Sequence, residues 1–335
     1  MNQDYIQADE WSILEEGFNV ERVKSSESLF SIGNGVMGQR ANFEEQYSGP
    51  SFQGSYIGGV YYPDKTKVGW WKNGYPEHFA KVLNAPNWIG INVFVNNEAL
   101  DLFKCKEVRK FKRELNMQEG FHRRSFVAIL DSGLEIAVKA TRFLSIVEDE
   151  LGAIDFEVEL LNSDAEVRFE PYLDGGITNT DANWEEHFWE TLGVKSEGEK
   201  GFILSKTLKT EFHVNTYMQS EVLLNDEKQE LGFTETKTKD KLTFSYAIKA
   251  KKGQKLNLRK YAGYVTDMNH KPADLIEAAG KVLDYATNKG FLKLLQEQKE
   301  AWAKIWEMAD ITIEGDVKAQ QGIRFNIFQL NQTYL

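Results

Sequence analysis

The chain has 335 residues, 41% of them hydrophobic and 13% aromatic, enough apolar material for a large packed core in one or two domains. Asp and Glu total 51 against 40 Lys and Arg, and the net charge of −11 is poorly suited to a nucleic-acid backbone. A lone cysteine, Cys105, excludes an intramolecular disulfide and leaves a cysteine-based zinc site short of ligands; a reduced, buried thiol is the reading that fits.

The amino terminus, MNQDYIQADEWSILEEGF, is polar and acidic and has no apolar signal core, and no run approaches membrane-spanning length. These features predict a cytoplasmic protein with no membrane partner. Next comes FSIGNGVMGQR, from Phe30 to Arg40, whose glycines spell G-x-G-x-x-G. A dinucleotide turn must open a helix onto the pyrophosphate. The following residues, QRANFEEQYSGPSFQG, carry no helical apolar stripe, and the ribose-binding acid expected about twenty residues on is absent. The glycines are therefore read as a turn in a β structure, where Gly33, Gly35 and Gly38 permit positive φ or close backbone approach.

YIGGVYYPDKTKVGWWKNGYPEHF is the most unusual local stretch, with Tyr61, Tyr62, Trp70, Trp71 and Tyr75 set among Gly, Pro, Asp and Lys. Flat rings beside hydrogen-bonding groups suit sugar rings, and they equally suit a long loop pinned to a neighbouring domain. Trp70, Trp71 and Tyr75 are the candidates for a substrate loop. Four segments then alternate about short turns: Asn96-Asn97, Asp131-Ser132-Gly133, Asn162-Ser163-Asp164 and Lys252-Gly253. Each reads as hairpin chemistry, and together they predict two stacked antiparallel sheets. Between them, DGGITNTDANWEEHFWETLG offers Asp174, Asp181, Glu185, Glu186, His187 and Glu190. Such a run could do acid–base work or hold a metal, but it lacks the His-Glu-x-x-His spacing and reads first as a solvated loop.

The composition changes after about Val265. KPADLIEAAGKVLDYATNKG predicts a helix with Leu275, Ile276, Ala279, Leu283 and Ala286 on one face, and FLKLLQEQKEAWAKIWEMA a second with Phe291, Leu295, Trp302, Ile305, Trp306 and Ala309. DVKAQQGIRFNIFQLNQTYL opens a third, with Ile323, Ile327, Leu330 and Tyr334 as its stripe and Phe325 and Phe328 widening it. A helix apolar on more than one side fits inside a larger helical assembly, so the chain is read as incomplete.

ESLFSIGNGVMGQRANFEE, SFQGSYIGGVYYPDKTKVGWWKNGYPEHFAKVLNAPN and QQGIRFNIFQLNQTY resemble the corresponding parts of the inverting disaccharide phosphorylases of glycoside hydrolase family 65. That family holds phosphorylases of maltose, trehalose, kojibiose and nigerose and some hydrolases, and the YYPDKTKVGWWKNGYP wording is nearest to the maltose phosphorylases. The resemblance runs the length of the chain. It implies a mainly β fold with α: a large antiparallel β-sandwich over residues 1–267, a helical linker over 268–315, and at 316–335 the first helix of an otherwise missing (α/α)₆ catalytic barrel. It implies phosphorolysis of a disaccharide with inorganic phosphate as co-substrate, no metal or organic cofactor, and a homodimer. The family's catalytic glutamate lies deep in the barrel, so no catalytic residue is carried onto this chain. The alternatives are a phosphorylase or hydrolase for another α-glucose disaccharide (trehalose, kojibiose or nigerose) and a free-standing, non-catalytic sugar-binding sandwich.

Overall fold

Period-two alternation runs through the long strands: Ala165–Asp174 alternates buried and half-buried residues along its whole length, and Leu151–Leu160 does so after a fully buried start. The computed structural model describes residues 5–67, 74–180, 182 and 186–334. Among them, eleven strands form one antiparallel sheet. Its order runs Ile6–Gln7, Ser12–Glu16, Glu107–Asn116, Phe121–Ile129, Glu135–Leu144, Leu151–Leu160, Lys255–Thr266, His213–Leu224, Lys200–Thr207, Trp189–Glu197, with Glu227–Lys228 beside His213–Leu224. A five-stranded sheet, Thr234–Lys237, Lys241–Ala250, Ala165–Asp174, Ile91–Val95 and Glu98–Ala99, lies against it. The two share one core in which Ile154, Phe156 and Leu258 meet Val167, Phe169 and Phe244. The predicted β-sandwich is present.

Two of the four expected hairpins are hairpins. Asn96 and Asn97 take the left-handed φ of 49° and 66° that a two-residue turn requires, and Gly133 takes 86° between Phe121–Ile129 and Glu135–Leu144. The other two are corners. Asn162-Ser163-Asp164 leads from Leu151–Leu160 in the large sheet to Ala165–Asp174 in the small one, and Lys252-Gly253 leads back from Lys241–Ala250 to Lys255–Thr266. The corners lie side by side, with Gly253 N donating to Leu160 O at 2.6 Å and Lys252 N to Asp164 Oδ1 at 2.8 Å.

The middle of the large sheet is buried on both faces. Phe143, Tyr217, Tyr261 and Val265 point away from the sandwich into a second core, which helices α2 (Leu275–Lys289) and α3 (Phe291–Ala309) complete with Leu275, Leu283, Phe291 and Leu295. Gly290, at φ 74°, separates the two helices as expected. Gln298 of α3 is buried too, where it donates to Gly120 O and Leu144 O, both at 3.0 Å, and accepts from Ile146 N at 3.0 Å. A short helix, α1 (Val23–Leu29), falls in VKSSESL, which has too few apolar residues to announce it. Among the described residues, no helix is long and apolar enough to cross a membrane.

Helix α4 (Val317–Tyr334) reverses the expected face. The stripe Ile323, Ile327, Leu330 and Tyr334 is half-buried or exposed, while Gln320, Gln321, Arg324, Phe328 and Gln332 are buried against the rest of the chain. The reason is backbone satisfaction. Gln321 donates to Gln7 O and Ser12 O, Gln320 bonds both Ile311 O and Ile313 N, and Arg324 forks onto Asp310 while stacking 3.6 Å above Trp11. Phe328 is the fully buried apolar residue, stacked on Trp302, while half-buried Phe325 and Ile327 pack at the edge of the same core.

Beneath the residues that follow the glycine turn lies a buried ionic network. Arg113, Arg124 and Arg142 project from adjacent strands of the large sheet, and Glu15, Glu27, Glu44 and Glu45 are as buried as they are. Glu44 bridges Arg124 at 2.8 Å and Arg142 at 2.6 Å; Glu45 takes both terminal nitrogens of Arg124; Glu15 meets Arg113 at 3.2 Å. Arg142 also donates to Arg40 O and Asn42 O, so the segment is held by main chain and side chain together. Burial opposes ionisation of Glu44, yet Arg142 and Arg124 outweigh it and hold its carboxyl below the usual range. Glu45, with burial the larger influence, is pushed up.

Glu44→Gln should therefore cost about 3–5 kcal/mol at neutral pH, because it leaves the buried Arg142 guanidinium without a carboxylate while Arg124 keeps Glu45. A folded-state pKa below the unfolded one contributes stability that is complete above the ordinary carboxylate value and lost as pH falls through the lowered one. Urea unfolding of wild type and variant should show the gap shrinking below about pH 4; a gap that does not change with pH would contradict this account.

Candidate functional site

A cleft of about 670 Å³ opens where the glycine turn, a hairpin and the end of α4 meet. Its floor is the three-stranded sheet Ile32–Gly33, Met37–Gln39 and Ser55–Ile57, continued by Gly58-Gly59. One wall is the hairpin of Tyr61–Lys65 and His78–Val82, presenting Tyr61, Ala80 and Val82; the facing wall is Gln329, Gln332 and Thr333 of α4.

The glycine turn makes this floor for steric reasons. Gly35 has φ 83°, and a Cβ on Gly58 would lie 2.7 Å from the Gly35 carbonyl oxygen, so two backbones touch with no side chain between them. A Cβ on Gly33 would lie 3.1 Å from Gln332 O. The N–H groups that a pyrophosphate would need are already engaged: Gly35 N donates to Gln332 O and Gly33 N to Gln332 Oε1, each at 2.8 Å. The turn caps the carboxyl end of α4, whose last carbonyls have no partner within the helix. Gly38 sits inside a strand, with ordinary contact to Tyr56. Asn34, buried between the first two glycines, donates to Ser145 O and Asp149 O and accepts from Met37 N, which locks the turn to the large sheet.

Exposed backbone, amides, hydroxyls and the half-exposed ring of Tyr61 suit a ligand with many hydroxyls and an apolar face. Among the described residues that line the cleft there is no carboxyl, imidazole or thiol; its ionisable side chains are Arg40, Tyr56 and Tyr61.

Of the substrate-loop candidates, Tyr75 is exposed in the turn before His78–Val82, and Trp70 and Trp71 lie outside the described residues. The acidic run does not converge on one point. Asp181 and Glu185 are also outside the described residues. Asp174 accepts from Gly176 N at 2.9 Å and pairs with Lys241 at 3.7 Å. Glu190 is exposed, and exposed His187 borders a separate hollow with Trp189 and Asp240. Glu186 accepts from the buried Tyr62 hydroxyl at 2.9 Å and pairs with Lys209 at 2.8 Å. The hydrogen bond from Lys209 holds its carboxyl below the ordinary range, and burial followed by the Glu186 bond raises the Tyr62 phenol. Cys105 is half-buried, and burial pushes its thiol up to about 11, which leaves it protonated at neutral pH.

Among proteins of known sequence, the maltose phosphorylase of Bacillus subtilis (strain 168) is 39% identical across the whole chain, which covers 43% of that protein. The α,α-trehalose phosphorylase of Thermoanaerobacter brockii is 32% identical over 97% of the chain and 43% of its own length; the kojibiose phosphorylase of the same organism is 28% identical over 97% and 41%. A solved human-microbiome structure, described provisionally as a kojibiose phosphorylase, superposes with a TM-score of 0.86 at 24% identity, over 98% of this chain and 42% of that one. The chain thus spans less than half the length of the relatives it matches. The family model for the N-terminal domain of glycosyl hydrolase family 65 matches residues 13–305, and the chain belongs to that family.

Proposed function

We propose that the chain is the amino-terminal part of an inverting disaccharide phosphorylase that converts maltose and inorganic phosphate to β-D-glucose 1-phosphate and D-glucose. The observation that carries the substrate is the higher identity, over the entire chain, to the maltose phosphorylase than to the trehalose and kojibiose enzymes. In such a reaction an acid protonates the leaving oxygen while phosphate attacks the opposite face of the ring. Phosphate is already anionic, so it needs cationic and hydrogen-bonding partners rather than a base, and no metal or organic cofactor enters the scheme.

In this reading the sandwich (1–267) and linker (268–315) brace a catalytic (α/α)₆ barrel that α4 begins, and the barrel supplies the acid. Support comes from exposed Leu330 and Tyr334, with half-buried Ile323 on the same side, an apolar surface that a neighbouring helix would cover. Trp70, Trp71 and Tyr75 are its candidates for a substrate loop, and the whole protein works as a cytoplasmic homodimer. A second reading, phosphorolysis or hydrolysis of another α-glucose disaccharide, draws on the 32% identity to a trehalose phosphorylase.

The full-length protein incubated with maltose, trehalose, kojibiose and nigerose, each with and without phosphate, should yield β-glucose 1-phosphate from maltose and only with phosphate. Glucose release without phosphate would mean a hydrolase, turnover of another disaccharide would move the specificity, and inertness toward all four would favour a non-catalytic sandwich. Replacing Trp70 and Trp71 together by Ala should raise KM for maltose about tenfold, the worth of one well-stacked ring, or weaken the dimer seen by light scattering. Unchanged kinetics and assembly would remove both rings from the site.

A further inference from the structure

The hairpin that walls the cleft belongs to neither large sheet. Tyr61–Lys65 and His78–Val82 pair only with each other, and an isolated two-stranded ribbon has little stability of its own. Its position is therefore set by side chains. Neighbouring residues on a strand face opposite ways, so Tyr61 and its cross-strand partner Val82 look into the cleft while Tyr62 looks into the domain. Tyr62 is buried, its ring 4.4 Å from Phe188. Its hydroxyl donates to Glu186 Oε1 at 2.9 Å, and Lys209 both pairs with that carboxylate and sits 4.7 Å above the Tyr62 ring. From the same turn, Thr210 Oγ1 donates to Tyr61 O at 2.8 Å. A further charged pair on this inner face, Asp64 and Lys81 at 3.6 Å, joins the two strands of the hairpin to each other.

We infer that Tyr62, Glu186 and Lys209 form a latch that fixes the hairpin and thereby the width of the cleft, which makes Glu186 a positioning residue for a glucoside held there; the substrate part of this rests on the phosphorylase reading. Glu186 and Lys209 are each about one-third exposed or more, and exposed ion pairs add little to global stability. Their loss should be felt where the hairpin is held and not in the sandwich core. The two ends of the lever are adjacent residues: whatever lets Tyr62 leave Glu186 swings Tyr61 relative to Gln329 and Gln332 across the cleft.

Two measurements on Glu186→Ala and Tyr62→Phe test this. In the 335-residue chain, amide exchange in residues 61–65 and 78–82 should accelerate about tenfold while the strands of the large sheet keep their protection. In the full-length protein, KM for maltose should rise about five- to tenfold with kcat within about twofold, and Glu186→Gln, which keeps an acceptor for Tyr62, should fall between. Unchanged exchange in both variants would overturn the latch. Faster exchange with an unmoved KM, or a loss confined to kcat, would overturn the positioning role. A wild-type protein that phosphorolyses no α-glucoside would overturn the phosphorylase reading, and the exchange experiment would still judge the latch by itself.

Discussion

The floor of the cleft depends on charges buried beneath it. Arg113, Arg124 and Arg142 stand on neighbouring strands of the large sheet with no access to water, and such charges persist only when carboxylates reach them. Glu44 and Glu45 arrive on an irregular segment that has no ladder of its own, so their ion pairs do for it what hydrogen-bonded pairing does for a strand. Glu27 adds a third anchor by accepting from Phe52 N at 2.7 Å. With this segment fixed, the glycine turn before it and the strand Ser55–Ile57 after it are fixed as well, and those two make the floor.

Much of the sandwich is legible in the sequence because a half-buried strand must alternate. AEVRFEPYLD declares its buried face residue by residue. What alternation cannot declare is the sheet to which a strand belongs. Asn162-Ser163-Asp164 and Lys252-Gly253 have the same turn chemistry as true hairpins, yet each carries the chain between layers, since local backbone preference governs the bend and long-range packing governs what lies beyond it. Helix α4 fails a different assumption, that the docked face of a helix is its apolar one. Its partners are orphan carbonyls at the amino terminus more than 300 residues away, and glutamine answers those better than leucine. EVRKFKRELN likewise gives no sign that Arg113 is buried, because the carboxylates that permit it come from other segments.

The site is less legible than the fold for the same reason. Close backbone approach at Gly33 and Gly35 follows from their composition, but Gln332, the residue that approaches, is 299 positions from Gly33. Glu186 stands out in the sequence only as one of several acids, and its pairing with Tyr62 requires knowing that a hairpin folds back over it. Some of the residues that carry the family resemblance, among them Gly33, Gly35, Gly58, Tyr61 and Gln332, also line the cleft, so part of the wording that marks the family shapes this surface.

The polar docking of α4 has a mechanical consequence. An apolar helix face tolerates sliding, because one methyl contact replaces another at little cost. A row of glutamines bonded to individual carbonyls does not: a shift of one residue, about 1.5 Å of rise and 100° of turn, would separate Gln321 from Ser12, Arg324 from Asp310 and Gln332 from the glycine turn together. The interface therefore behaves as a key in a keyway. It holds axial position and rotation to hydrogen-bond tolerance at both ends of the helix, while exposed Leu330 and Tyr334 leave an apolar surface on the other side. Any body built on α4 inherits the orientation of the sandwich, and a cleft shared between them keeps its shape without needing a large hydrophobic seam.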